Sequence, residues 1–413
     1  MSHGENLLQR VAALGRHSDS PDHYTRTYLT PAHQAAAKQI AQWMREAGLA
    51  VRVDGVGSVI GRYEGATPDA KTLLMGSHFD SVRNGGKYDG VLGILVPIAC
   101  VAELSRRGER LPVALEIAAF SDEEGARFQT SFLASRALIR GAEAVAPLLE
   151  SRDADGVTLA EAMRSAGLDP SRSGAIDAGL LAAYVEVHIE QGPVLLNEGH
   201  ALGVVTSIAS GTRHTLRVRG EAGHAGTVPM EGRRDALAAA CEMVLAAEHC
   251  ARSVEGAVAT VGQMRVKDGT GNVIPGDVEF TLDIRAAEEA KRQVAEDRAL
   301  AQIEGIAARR LVVLERTKTH AVKAVPCAPW LQEAIARSVE RATGAKARRL
   351  PSGAGHDAMI LAEVTDVGMM FVRCGAGGVS HNPAETVAAE DAGAAVEALL
   401  DFLRNFATSK TPA

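Results

Sequence analysis

Apolar residues follow two rhythms along this chain, and over the first half the two alternate. Residues 33–48 carry Ile40, Trp43, Met44 and Ala47 at helical spacing, with Gly48 as a stop signal, so a helix is predicted there. Residues 71–77 form a short apolar run suited to a buried strand, 90–108 read as a helix, and 111–120 and 182–189 as two more strands. Near the end, 367–373 reads as a fourth strand and 389–406 as a helix. The longest apolar stretch, from Val91 to Ala102, is interrupted by Gly93 and Pro97 and fits a buried helix better than a membrane span. Such alternation predicts a three-layer α/β/α domain around a mostly parallel sheet.

Between about 212 and 322 the rhythm changes. Strands are predicted over 212–219, 258–265, 279–285 and 310–318, and helices over 234–251 and 287–306. The order β-α-β-β-α-β is that of a ferredoxin-like α+β unit. Because α/β signals resume afterwards, it reads as an insertion, giving a first domain in two parts, 1–211 and 323–413, with an inserted domain at 212–322. No internal repeat is visible.

Composition narrows the class. A chain of 413 residues with 46% hydrophobic residues can build two sizeable cores. A formal net charge of −7 offers no basic field, so nucleic acid is not an expected partner. No apolar run reaches the roughly 18 residues of a membrane helix, and the opening MSHGENLLQRVAAL lacks the charged-then-apolar pattern of a secretory signal. The cysteines at 100, 241, 250, 327 and 374 form no C-x-x-C pair and are odd in number. A disulfide framework and a thiolate metal site are both disfavoured, and a reducing cytoplasm is expected.

The chemistry gathers where the predicted strands end. Gly76-Ser77-His78-Phe79-Asp80 and Gly85-Gly86-Lys87-Tyr88-Asp89-Gly90 follow the first strand, and Ser121-Asp122-Glu123-Glu124-Gly125 the second. Glu186-Val187-His188-Ile189-Glu190-Gln191-Gly192 closes the third, and Ser380-His381-Asn382-Pro383 follows the fourth. In open α/β sheets ligands bind outside the carboxyl ends of the strands, so the clusters are expected to share one crevice. His78, Asp89, Glu124, His188 and His381 have the composition of a two-metal site for Zn²⁺, Mn²⁺ or Co²⁺, with Asp89 as the candidate bridge between ions roughly 3.5–4 Å apart. Asp80, two residues beyond His78, is expected to accept the imidazole N–H and fix its tautomer. Of the adjacent pair Glu123 and Glu124, one can hold metal while the other takes a proton from the attacking water. Each piece alone has a plainer explanation: a buried histidine is usually a hydrogen-bonded core residue, and Asp-Glu-Glu-Gly is usually a turn or helix start. The joint pattern is what points to metal.

These motifs resemble the hydantoinase/carbamoylase family of M20-type amidases, over residues 5 to 407. The resemblance rests on G-S-H-F-D-S-V, G-G-K-Y-D-G, D-E-E-G-A-R-F, E-V-H-I-E-Q-G-P, G-H-A-G-T-V-P-M, R-R-D-A, N-V-I-P-G, D-I-R, S-G-A-G-H-D-A and S-H-N-P-A-E, in family order. It implies a metallopeptidase-like catalytic domain with an inserted lid and dimerisation domain, two divalent ions per subunit, and a homodimer. It implies that His78, Asp89 and His188 hold one ion, that Asp89, Glu124 and His381 hold the other, and that Glu123 is the general base. Gln191, His224, Asn272, Arg285 and Gly355 match substrate-contacting positions, with His356 beside them, and His224 is the expected oxyanion donor. Arg285 suits a carboxylate because guanidinium binds it bidentately. Since these residues fall in both predicted domains, the resemblance further implies domain closure, with hinges near 210–212 and 320–326, or a contribution from a partner subunit.

The activity implied is hydrolysis of a ureido C–N bond in a small carboxylate-bearing substrate, allantoate or an N-carbamoyl-L-amino acid, releasing ammonia and carbon dioxide. A β-ureidopropionase and an M20-type di- or aminopeptidase are the alternatives within the superfamily. The peptidase branches usually carry a carboxylate where His188 stands. A non-catalytic binding protein is disfavoured by the intact Glu123 and ligand set.

Overall fold

The computed structural model describes residues 1–406. In chain order its strands are β1 (Ala50–Val53), β2 (Val59–Tyr63), β3 (Thr72–His78), β4 (Ala114–Phe120), β5 (Leu181–Ile189), β6 (Leu202–Ile208), β7 (Ser210–Arg219), β8 (Gly223–His224), β9 (Ala257–Thr260), β10 (Met264–Val266), β11 (Val273–Ile274), β12 (Asp277–Ala286), β13 (Val313–Val322), β14 (Val325–Pro326), β15 (Arg348–Ser352) and β16 (Val367–Val372). The chain divides into two compact units. The first comprises Met1–Thr206, Cys327–Leu350 and the residues from Gly355 onward; the second comprises Ser207–Pro326 with the tetrapeptide Pro351–Ala354.

The large sheet runs β1-β2-β4-β3-β5-β16-β6, with β14 and β15 both pairing with β6. Its centre is parallel: β4 pairs with β3, β3 with β5, and β5 with β16. All residues of β3, β4 and β16 are buried, as in strands covered on both faces. This is why apolar residues dominate them, with Glu116 the one charged residue inside β4. The helix Val91–Arg107 packs on β3 and β5, and Ala389–Arg404 and His3–Leu14 pack on it in turn. Its own apolar face merges with the main core through Leu92, Leu95 and Val96.

The expectation of a mostly parallel sheet needs correction. The order of β1, β2 and β4 is antiparallel, and so is the pairing of β6 with β16 and β14. For β1 and β2 the reason is connection length. Parallel neighbours need a crossover of a dozen residues or so, whereas β1 and β2 are joined by a tight turn, where Asp54 accepts the N–H groups of Val56 and Ser58. The helices His3–Leu14 and Pro329–Thr343 and the strands β1, β2, β6 and β15 were also not anticipated from the pattern.

In the second unit the sheet order is β10-β12-β7-β13, with β9 also pairing with β12, and every pairing is antiparallel. The helices Ala236–Arg252 and Glu289–Arg310 supply the core partner through Ala240, Met243, Ala299 and Ile303 against Leu216, Phe280 and Leu282. This is the β-α-β-β-α-β arrangement, except that the strand expected over 258–265 is two short strands, β9 and β10. A separate two-residue ladder joins β8 to β11.

Candidate metal centre

Three parallel strands deliver the ligand candidates of the first unit. β3 ends on His78, β5 carries His188 next to its last residue, and β4 ends at Phe120, just ahead of Glu123 and Glu124. Asp89 lies in the loop before the helix Val91–Arg107, and His381 in the loop beyond β16. The bend after Asp89 needs Gly90: its φ is +64°, and a Cβ there would lie 2.4 Å from the carbonyl oxygen of His78.

Hydrogen bonds set which ring nitrogens are available. His78 Nδ1–H donates to the carbonyl of Asp80 at 3.2 Å, and His188 Nδ1–H to that of Ile189 at 2.9 Å. A carbonyl only accepts, so both rings are fixed with Nε2 free to bind metal. Those Nε2 atoms face one oxygen of Asp89, Oδ1, at 3.8 Å and 3.3 Å. The other oxygen, Oδ2, faces His381 Nε2 at 3.2 Å, and that nitrogen is 3.4 Å from Glu124 Oε1. Asp89 therefore presents one oxygen to each of two donor sets, His78/His188 and Glu124/His381, each of which gathers its ligand atoms within 4.8 Å. Glu124 Oε1 is buried without a hydrogen-bond partner, as befits an oxygen reserved for a cation. The donor chemistry and this orphaned oxygen fit divalent metal.

The electrostatics agree. Burial alone would lower the His78 pKa, but Asp80, Glu123 and Asp89 together raise it well above the ordinary value. The carboxylates of Asp89 and Glu124 beside it push His381 up to about 11. Asp89 is held below the usual carboxylate range: burial opposes this, and His381, His188 and His78 outweigh it. Only His188 moves the other way, to about 4, through burial.

Glu123 is 8% exposed, and burial raises its pKa well above 4.5, with Glu124 and Asp357 reinforcing the shift. Its backbone N–H is held by Asp80 Oδ1 and that of Glu124 by Asp80 Oδ2, both at 3.1 Å. Asp80 was expected to act on His78. Its carboxylate does lie 3.4 Å from His78 Nδ1, but its main hold is on the backbone of the two glutamates.

The other expected site residues divide by unit. In the first, Gln191 adopts a φ of +56°, and its Nε2 lies 3.3 and 3.2 Å from the two Asp89 oxygens. Gly355 faces the Phe132 ring. His356 is buried, with its ring 4.5 Å from that of His188 in an edge-on contact, a place behind a ligand. In the second unit His224 and Asn272 come together: His224 pairs with Val273, and Ala225 N–H donates to the Asn272 carbonyl. Arg285, near the end of β12, donates to Asp283 through Nε at 2.8 Å and to the Gly353 carbonyl. Sequence reasoning passed over Glu186 and Glu385. Glu186, two residues before His188, is buried, accepts Ser77 Oγ–H and Ala358 N–H, and is raised to about 8 by burial and Asp357. Alternation along β5 places it on the same face as His188, which was the available signal.

The family model of peptidase family M20/M25/M40 matches residues 66–405. An N-carbamoyl-L-amino acid amidohydrolase of Geobacillus stearothermophilus is 42% identical over 97% of both chains, and an allantoate deiminase of Arabidopsis thaliana is 38% identical over 97% of this chain and 82% of its own. The crystal structure of a hydantoinase/carbamoylase family amidase from Burkholderia multivorans superposes with a TM-score of 0.89 at 32% identity, covering 99% of this chain and 98% of that one. The chain thus belongs to peptidase family M20/M25/M40, among relatives that are hydantoinase/carbamoylase-type amidases.

Proposed function

We propose that this enzyme hydrolyses the carbamoyl C–N bond of a small carboxylate-bearing ureido compound, an N-carbamoyl-L-amino acid or allantoate. The observation that carries the reading is Asp89, with one oxygen turned to each donor set beside the buried Glu123. Relatives named for these two activities support it. His78, Asp89 and His188 would hold one divalent ion, and Asp89, Glu124 and His381 a second, with Zn²⁺, Mn²⁺ or Co²⁺ suited to imidazole and carboxylate. Such ions, when bound, polarise the carbamoyl group and make water a competent nucleophile near neutral pH.

The chain's own residues supply the rest. Glu123 takes a proton from the attacking water and returns it to the leaving nitrogen; its raised proton affinity suits both halves of that exchange. Ammonia and carbon dioxide leave, and the amine remains. His224 Nδ1 accepts the N–H of Gly226 at 3.1 Å, which leaves the proton on Nε2 as a donor for the carbonyl oxygen. Arg285, braced by Asp283, is assigned to the substrate carboxylate, and Gln191, Asn272 and Gly355 to its polar remainder. His356 is assigned to support of His188.

A homodimer is part of the proposal. Among the described residues β13 pairs on one side only, with β7, and most of its residues are exposed, which supports an edge open to a second copy. The five cysteines are free, which supports a reducing, cytoplasmic setting.

The test is ammonia release by Mn²⁺-, Co²⁺- or Zn²⁺-loaded protein offered allantoate, N-carbamoyl-L-amino acids, N-carbamoyl-β-alanine and dipeptides side by side. Turnover of allantoate or an N-carbamoyl-L-amino acid is expected. Dipeptide cleavage with silent ureido compounds, or near-wild-type turnover by a fully metallated Glu123→Gln protein, overturns the reading.

A further inference from the structure

We propose that Glu385 is a positioning residue that clamps the Asp89 loop to the His381 loop and so sets the spacing of the two donor sets. The inference rests on reading those residues as metal ligands. Glu385 is 4% exposed and belongs to neither ligand group. Its Oε1 accepts the backbone N–H of Tyr88 at 2.9 Å and of Asp89 at 3.2 Å. Its Oε2 accepts Ser380 Oγ–H at 2.7 Å, and that same Oγ lies 3.4 Å from Asp89 Oδ2. One carboxylate therefore ties the backbone that carries the bridging aspartate to the residue before His381.

Two further features show that the loops are built around this contact. Gly86 leaves room for the carboxylate, since a Cβ there would lie 2.1 Å from the Glu385 carboxyl carbon and displace it. His381 itself has φ of +53°, a left-handed conformation that a non-glycine residue keeps only when its surroundings enforce it. The enforcing contacts flank it. Ser380 is held by Glu385 on one side. On the other, Asn382 closes the turn, its carbonyl accepting Glu385 N–H at 3.0 Å and its Oδ1 accepting Ala384 N–H at 2.9 Å. If this clamp loosens, His381 relaxes and the Oδ2 side of Asp89 loses its partner, while His78 and His188, held by their own carbonyl bonds, keep theirs.

The clamp depends on reach and acceptor geometry rather than on charge, so two conservative variants separate the possibilities. Glu385→Asp keeps the charge but is one methylene short. Glu385→Gln keeps the reach, accepts both N–H groups, and places its amide against Ser380 Oγ. Full-length protein stripped with chelator is titrated with Co²⁺, following the visible ligand-field absorption and the stoichiometry by calorimetry; kcat and KM are then measured at saturating metal. Glu385→Asp is expected to bind the weaker Co²⁺ ion about tenfold less tightly, with an altered band shape and a lower kcat at near-constant KM. Glu385→Gln is expected to stay within about threefold of wild type in affinity, with the wild-type band, the outer-contact range setting the scale. Wild-type affinity and spectrum in Glu385→Asp, or Glu385→Gln impaired as much as or more than Glu385→Asp, overturns the clamp. Asp89→Asn, titrated in parallel, reports on the ligand assignment itself: if it binds two Co²⁺ ions as wild type does, the metal-site reading fails, whereas its failure to bind them beside an unaffected Glu385→Asp rejects the clamp alone.

Discussion

Asp80 Oδ1 accepts the backbone N–H of Glu123 at 3.1 Å. With its other oxygen on Glu124, Asp80 fixes where both carboxylates of the pair begin. One of them is the proposed general base and the other a ligand, so the contact aligns two roles at once. Replacing Asp80 by Ala is expected to lower kcat by about 10–100-fold, the usual cost of removing an outer hydrogen-bond partner, with KM changed little. Steady-state kinetics on protein of verified metal content decides it; an unchanged kcat would mean the glutamates are placed by the β4 backbone alone.

Arg285 donates through Nε to Asp283 Oδ1, and Arg213 donates to Asp283 Oδ2. Asp283 thereby keeps the guanidinium extended, with its side chain 37% exposed. Lysine at this position would keep the charge but lose the bidentate fork. Arg285→Lys is expected to raise KM for the carboxylate substrate by about 10–100-fold, equivalent to roughly 1.4–3 kcal/mol. The same variant should act like wild type on a substrate whose carboxylate is capped as an amide. Equal losses on both substrates would remove Arg285 from carboxylate recognition.

Much of the candidate site was legible because β3, β4 and β5 are buried, mainly apolar strands, with polar clusters at or just beyond their carboxyl ends. Phe120 followed by Ser121 and Asp122 is such an end, and the parallel pairing of these strands puts the ends side by side. The β1–β2 hairpin was not legible: β1 is four residues long, mostly exposed and interrupted by Arg52. Nor was Glu385, because its partners are backbone N–H groups of Tyr88 and Asp89, which look alike in any sequence. His356 stands next to Gly355 in the sequence, and its buried ring packs against those of His188 and Phe371, a contact that no sequence pattern displays.

His33 gives a pH prediction away from the ligands. Its Nε2–H donates to the Ser121 carbonyl at 2.8 Å, and its ring stacks on Phe79. Burial lowers its pKa from 6.5 to about 4, so the unfolded chain binds the proton more readily than the folded one between those values. The associated stability is fully present above pH 6.5, is lost as pH falls, and is gone by about pH 4. Full titration corresponds to roughly 3 kcal/mol. Urea midpoints measured from pH 7.5 down to 4.5, at fixed metal content, should fall more steeply for wild type than for His33→Gln, which keeps a donor for Ser121 but does not titrate. Parallel curves would show that the ring charges without cost.

Removing metal should destabilise the first unit measurably. Asp89, Glu123 and Glu124 crowd together there, and their mutual repulsion is relieved by bound cations or, failing those, by protons on the cluster. Ligands that bind only the folded state add RT ln(1 + [L]/Kd), about 2.7 kcal/mol at a hundredfold excess over Kd. Chelator-treated protein is therefore expected to melt several degrees lower than protein refilled with Zn²⁺, Mn²⁺ or Co²⁺, with the midpoint rising with the logarithm of metal concentration. The dependence should weaken in Asp89→Asn, which removes charge from both donor sets, and persist in Cys241→Ser, which alters an exposed thiol on the helix Ala236–Arg252. A melting midpoint indifferent to chelator and metal would contradict the donor assignment without reference to any substrate.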